Sequence, residues 1–159
     1  GAKVLINTVT TPAVPPIEGL SDVRYWTSED LLTLPELPSG LIVLGGGVIG
    51  VEMASLMGLL GVPVTIVHAG PHILDREDED VAAEVTAGLE ALGVTVLTGA
   101  LASKVAAAAD GNGVVVTTAD GRQLALAVLA NNIPAGTSET VAAVMDNHLV
   151  APLASCGCS

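Results

Sequence analysis

The chain has 159 residues, with 17 acidic against 5 basic side chains and a formal net charge of −12; nucleic acids demand a basic footprint that is missing here, and anionic membrane surfaces are disfavoured for the same reason. Half of the residues are hydrophobic and 14% are charged, which excludes a disordered chain and leaves enough length for one domain with a real core. Phe is absent, and Tyr25 and Trp26 complete the aromatic inventory, so that core must be assembled from Val, Leu, Ile and Ala, as suits buried parallel strands.

In chain order, Lys3 to Ile6 is a short apolar strand candidate, and Thr10 to Gly19, with Pro12, Pro15 and Pro16, reads as an extended connector. Thr27-Ser28-Glu29-Asp30-Leu31-Leu32 is a helix start, with a hydroxyl cap and acids in the first turn, and it must stop before Pro35. Leu41 to Gly50 then reads Leu-Ile-Val-Leu-Gly-Gly-Gly-Val-Ile-Gly, an apolar strand running into a glycine turn and a helix. Gly45-x-Gly47-x-x-Gly50 has the dinucleotide spacing: the first glycine permits the tight turn, the second lets a pyrophosphate approach the backbone, and the third lets the helix pack close to its strand. The helix N-terminus adds unpaired N–H donors and partial positive charge. A helix over Val48 to Leu60 is expected, closed by Gly61, and Pro63 to Val67 reads as a second strand.

Leu41 to Val67 carries one charge, Glu52, and hydropathy alone would make it a membrane span. The three adjacent glycines, the Gly61 and Pro63 break and the interior carboxylate fit strand, helix and strand better. His68 to Arg76 reads as a loop, and Glu77-Asp78-Glu79-Asp80 as a solvated acidic start to a helix over Asp80 to Leu92, with Val81, Val85, Leu89 and Leu92 as its apolar face. Val94 to Leu97 is a third strand. The period then changes: Leu101 to Ala108, Gly113 to Thr118 and Gln123 to Leu126 are short β runs separated by Asp110-Gly111-Asn112-Gly113 and Asp120-Gly121, an antiparallel meander. Leu126 to Ala130 returns to an apolar strand, and Val141 to Met145 is a candidate helical turn. Cys156 and Cys158 suit a frayed tail better than a bridge or a soft-metal site. No Ser-His-Asp set or metal-ligand spacing appears, so no catalytic or metal-binding residue is assigned. The fold expected is an α/β, Rossmann-like three-layer domain with a central parallel sheet and a three-stranded antiparallel meander.

These residues together resemble the pyridine-nucleotide-disulfide oxidoreductases, the flavoenzymes that include dihydrolipoamide dehydrogenase, glutathione reductase and mercuric reductase. The resemblance runs through Pro12 to Leu20, Thr27-Ser28, Leu37-Pro38, Gly45 to Glu52, Val64 to Val67, Ile73-Leu74 with Asp78, Gly93-Val94 and the Asp120-Gly121 meander. Tyr25-Trp26-Thr27-Ser28 leans towards the mercuric-reductase branch. It implies a connector from an FAD domain over 1–20, an NAD(P)-binding domain over 21–135 and an extension over 136–159. The ligand implied is a dinucleotide, NAD or NADP, with FAD only in the intact architecture. Its pyrophosphate would rest on Gly45, Gly46, Gly47, Val48, Ile49 and Gly50, and Glu52 matches a glutamate near the nicotinamide end.

At the end of the second strand, where NAD enzymes of this fold carry an acid for the ribose, stands His68, with Arg76 as a helper for a 2′-phosphate. Ile6-Asn7-Thr8-Val9 and Ala130-Asn131-Asn132-Ile133 replace the family's flavin-touching Ala-Thr-Gly segments. The flavin fingerprint, the redox cysteine pair and the interface domain are not found, and a start on Gly1 fits an excised piece. The implied role is therefore a cytoplasmic dinucleotide-binding module without turnover of its own, able to self-associate through its flavin-facing side. The competing expectation is a structural or engineered chain that keeps the fold and no longer binds a dinucleotide.

Overall fold

A computed structural model describes residues 14–109, 111 and 113–126. The expectations for Lys3 to Ile6, for Val141 to Met145, for the cysteines and for the strand beyond Leu126 lie outside the described residues.

The apolar run Leu41–Leu44 forms β1, and Val48–Leu59 forms α2, twelve residues ended at Gly61 in the left-handed conformation (φ +79°). Val64–Val67 forms β2 and Thr95–Leu97 forms β3, with the helix α3, Glu79–Ala91, between them. The stretch that hydropathy alone would call a span is thus a strand–helix–strand unit. Among the described residues no helix is long and apolar enough to cross a membrane. The three strands pair in parallel in the order β1-β2-β3, with Leu41 opposite Val64 and Thr65 opposite Thr95. The predicted meander is present as β4 (Ala102–Ala107), β5 (Val114–Thr118) and β6 (Gln123–Leu126), paired antiparallel in that order.

The pleat of β1 assigns the layers, because successive side chains point to opposite faces. Leu41 and Val43 join a core with Ala54 and Met57 of α2 and with Val64 and Ile66 of β2. Ile42 and Leu44 pack on a second core of Leu20, Val105 and Val116. Helices therefore cover one face of the parallel sheet and the meander covers the other, giving the three layers of a Rossmann-like α/β fold. A short helix, α1 (Ser28–Leu31), is started by a reciprocal capping box between Thr27 and Asp30 and places Leu31 in the helical-side core.

Two sequence expectations change. The buried stripe of α3 is Ala82 and Leu89 with Val85, whereas Val81 and Leu92 are 48% and 37% exposed. Val85 and Leu89 keep their expected places, and small Ala82 rather than Val81 takes the innermost position at the start of the helix. The connector is also more than a tether. Glu18 forms a parallel bridge to Lys104, the Val105 amide donates to its carbonyl at 2.8 Å, and Lys104 Nζ donates to its carboxylate at 2.7 Å. Gly19 (φ +75°) approaches so closely that a Cβ there would lie 2.2 Å from the Val105 carbonyl oxygen. A 3-10 turn over Leu20–Asp22, unforeseen in the sequence, drops Leu20 into the meander core.

The β5–β6 turn shows how Asp-Gly chemistry acts. Asp120 accepts from the Thr118 hydroxyl, from the Arg122 amide and, at 2.7 Å, from Arg122 Nε, while Gly121 takes φ +85°. The Thr118 hydroxyl chiefly, then Arg122, holds the Asp120 carboxyl below its ordinary range. A carboxyl lowered in the folded state stabilises fully above its unfolded pKa, about 3.9, and stops doing so as the pH falls through the folded value. We expect the amide shifts of Thr118 and Arg122 to move together on acidification below about pH 4. In Asp120→Asn they should titrate no further, as heteronuclear NMR would read.

Candidate functional site

The three fingerprint glycines have distinct steric situations. Gly45 takes φ +110°, a conformation that side-chain-bearing residues avoid, and its amide donates to the Val67 carbonyl at 2.9 Å, closing the end of β1 against β2. Gly50 is where helix meets strand: a Cβ there would lie 2.1 Å from the Gly45 carbonyl oxygen and 3.2 Å from a Val43 methyl. Gly47 is the N-cap of α2, and a Cβ there would meet nothing within 4 Å. Its bare face opens outward, where a ligand would come closest.

No side chain caps α2, and no acidic residue stands in its first turn. The Val51 amide is the first to find an intrahelical acceptor, the Gly47 carbonyl at 3.0 Å. The amides of Val48, Ile49 and Gly50 therefore open the helix as free donors, with the positive end of the helix dipole behind them. Val48 and Ile49 are 57% and 60% exposed although apolar. A local anion site of this kind works despite a net charge of −12, because oriented amides act at contact range while the net field is screened. The open cradle and uncapped amides fit a pyrophosphate.

Gly46 differs from its neighbours in being buried. Its amide donates to Nδ1 of His68 at 3.1 Å, and its carbonyl accepts from the Leu74 amide at 2.7 Å. A Cβ on Gly46 would lie 2.6 Å from a methyl of Ile73 and 3.1 Å from His68 Cγ. Ile73 is fully buried, and Leu74 (φ +52°) is the one non-glycine residue in the left-handed region among the described residues. The loop after β2 thus clamps the middle glycine through both of its backbone groups. Leu74 holds a costly conformation to do so. His68 turns inward to this clamp. Its Nε2 is buried without a hydrogen-bond partner among the described residues, and a Cβ on Gly70 would lie 2.7 Å from it.

A cavity of about 610 Å³ opens between β1, the start of α2 and the meander. Gly45, Gly47, Val48, Ile49 and Gly50 line it, as do Tyr25 and Trp26, to which sequence reasoning assigned no place in a site. Trp26 is set there by the Thr27–Asp30 capping box and by the Arg24 guanidinium, 5.5 Å from its ring centroid. The Trp26 indole N–H is buried with no partner among the described residues. Of the other sequence candidates, Glu52 and Arg76 are exposed, and neither they nor His68 line this cavity. The structure therefore gathers the turn residues and leaves Glu52 and Arg76 peripheral to them. Ile73 and Leu74 entered the sequence analysis only as part of the family resemblance, with no role in the turn.

Comparison with known proteins agrees with this architecture. The family model described as pyridine nucleotide-disulphide oxidoreductase matches residues 2–137. The mercuric reductase of Shewanella putrefaciens is 42% identical over 103 residues, covering 65% of this chain and 18% of the relative. That of Acidithiobacillus ferrooxidans is 42% identical over 115 residues, covering 72% of this chain and 21% of the relative. The solved HOCl-induced flavoprotein disulfide reductase RclA from Escherichia coli superposes with a TM-score of 0.69 at 38% identity, covering 77% of this chain and 28% of that one. The chain spans about a fifth of the length of these curated relatives.

The steric contrast between two glycines gives a stability prediction. Gly50→Ala forces α2 off β1 and should cost about 1–3 kcal/mol, the range for overpacking a tight contact. Gly47→Ala adds a methyl to open space at an allowed φ of −76° and should stay within about 1 kcal/mol of the parent. Urea unfolding of the two variants side by side measures both.

Proposed function

This chain belongs to the pyridine nucleotide-disulphide oxidoreductase family, and we propose that it is the family's NAD(P)H-binding module. The observation that carries this reading is the outward face of Gly47, with open space where a side chain would stand, next to the uncapped amides of Val48 and Ile49. In this reading Gly45 and Gly47 would leave room for the pyrophosphate, and the amides of Val48, Ile49 and Gly50 would donate to it. The apolar Val48 and Ile49 side chains, exposed beside the cavity, exclude water from the part of the dinucleotide that leads away from the turn. Glu52, exposed one turn further along α2, serves the nicotinamide side, and Arg76 on the loop after β2 serves the adenosine side. A bound reduced nicotinamide would supply hydride to a flavin. The residues of this chain bind, orient and shield.

In this reading these residues bind the dinucleotide and do not themselves turn it over, because the hydride of a nicotinamide needs a flavin to receive it. The whole-protein reaction in this reading is flavin-dependent reduction of a disulfide or a metal ion by NAD(P)H.

Calorimetric titration of the 159-residue chain with NADH and with NADPH is the test. We expect one site, at least one of the two dinucleotides binding below millimolar, and no oxidation of either by the chain alone. Gly47→Ala should weaken binding about tenfold, roughly 1.4 kcal/mol, with the fold intact. Failure of both dinucleotides at millimolar concentration would overturn the proposal in favour of a Rossmann-fold protein that has lost its ligand.

A further inference from the structure

We propose that His68 is a positioning residue: it sets the glycine turn through Gly46 and does not read the 2′ position of the adenosine ribose. This rests on the dinucleotide reading of the site. The end of the second strand is where a ribose-reading side chain is expected in this fold. His68 occupies that place and is turned away from the task. Its Nδ1 accepts the Gly46 amide at 3.1 Å, which a ring nitrogen does only when it carries no proton. The neutral ring therefore holds its proton on Nε2, which is buried against Gly70.

The backbone of His68 is fixed as firmly as its ring. Its amide donates to the Leu97 carbonyl and its carbonyl accepts from the Ala100 amide, each at 2.8 Å, so the ring is anchored to the end of β3. From that anchor the imidazole reaches back to Gly46, whose carbonyl is held by Leu74. With the Gly46 peptide held from both sides, the next residue, Gly47, is presented with its bare face outward. The amide of Gly46 is removed from the donors available to an anion, and those of Val48, Ile49 and Gly50 remain. Residue 68 then acts on NADH and NADPH alike, because both share the pyrophosphate and differ only at the 2′ position.

Two variants separate positioning from reading. His68→Asn places a carboxamide oxygen where it can accept the Gly46 amide, and His68→Leu keeps bulk without an acceptor. In His68→Leu we expect hydrogen exchange of the Gly46 amide to accelerate, and the NADH and NADPH dissociation constants to rise by the same factor, each by about fivefold, the order one hydrogen bond supports. His68→Asn should restore both readouts. A change in the NADH-to-NADPH preference in His68→Leu with Gly46 exchange unaltered would overturn the proposal. So would a neutral His68 in the parent chain protonated on Nδ1, as long-range nitrogen–proton NMR reports; this readout needs no variant to fold. If no variant and not the parent binds either dinucleotide, the function proposed above fails. The exchange and tautomer measurements, which use no ligand, still decide the role of His68.

Discussion

Helix α2 begins so close to the end of β1 that no side chain fits between them. The Gly50 Cα faces the Gly45 carbonyl at a separation that a single methyl would violate, and the rest of the site follows from this approach. A turn this tight needs Gly45 in a conformation closed to other residues, and it leaves the first-turn amides of α2 without intrahelical acceptors. The helix cannot drift outward to relieve the contact, because Ala54 and Met57 are sealed into the core with Val64 and Ile66. Packing on the buried side thus fixes the chemistry on the open side.

The second constraint comes from the neighbouring strand at the same end of the parallel sheet. The loop after β2 returns to grip Gly46, through a ring nitrogen on one side and a left-handed Leu74 on the other. An interior without Phe fills its space with branched aliphatics, and Ile73, fully buried, wedges this loop under the turn. The pleat of β1 joins this assembly to the meander, since Ile42 and Leu44 face the Leu20, Val105 and Val116 core while their neighbours face the helices. The connector completes the second layer by pairing with β4 instead of hanging free.

What was legible in the sequence was local. Glycine spacing announced a strand–turn–helix, Asp120-Gly121 announced a hairpin, and the hydroxyl and acids of Thr27 to Asp30 announced a helix start, because each depends on residues a few positions apart. The steric role of Gly50 and the openness at Gly47 were both anticipated on that basis. What escaped depended on distant partners. The buried face of α3 was right at Val85 and Leu89 and wrong at its ends, since the choice between Val81 and Ala82 is made by the sheet beneath the helix and not by helical periodicity. The direction of the His68 ring was equally hidden: its residue type at a strand end admits a ligand contact or a backbone contact, and only the position of Gly46 decides between them. The docking of Glu18 and Gly19 on β4 joins residues far apart in the chain, beyond the reach of any local pattern.

Tyr25 and Trp26 stand side by side in the wall of the cavity, and the chain has no other Tyr or Trp and no Phe. The protein's aromatic near-ultraviolet absorption and its indole emission therefore arise from one spot, in the lining of the cavity that the glycine turn also lines. Trp26 touches both the helical-side core and the cavity wall, so this one indole reports on the packing behind the turn as well as on the space in front of it. A reduced nicotinamide absorbs where indole emits, so a dinucleotide seated there would quench Trp26 by energy transfer, with no label attached and no second fluorophore to disentangle.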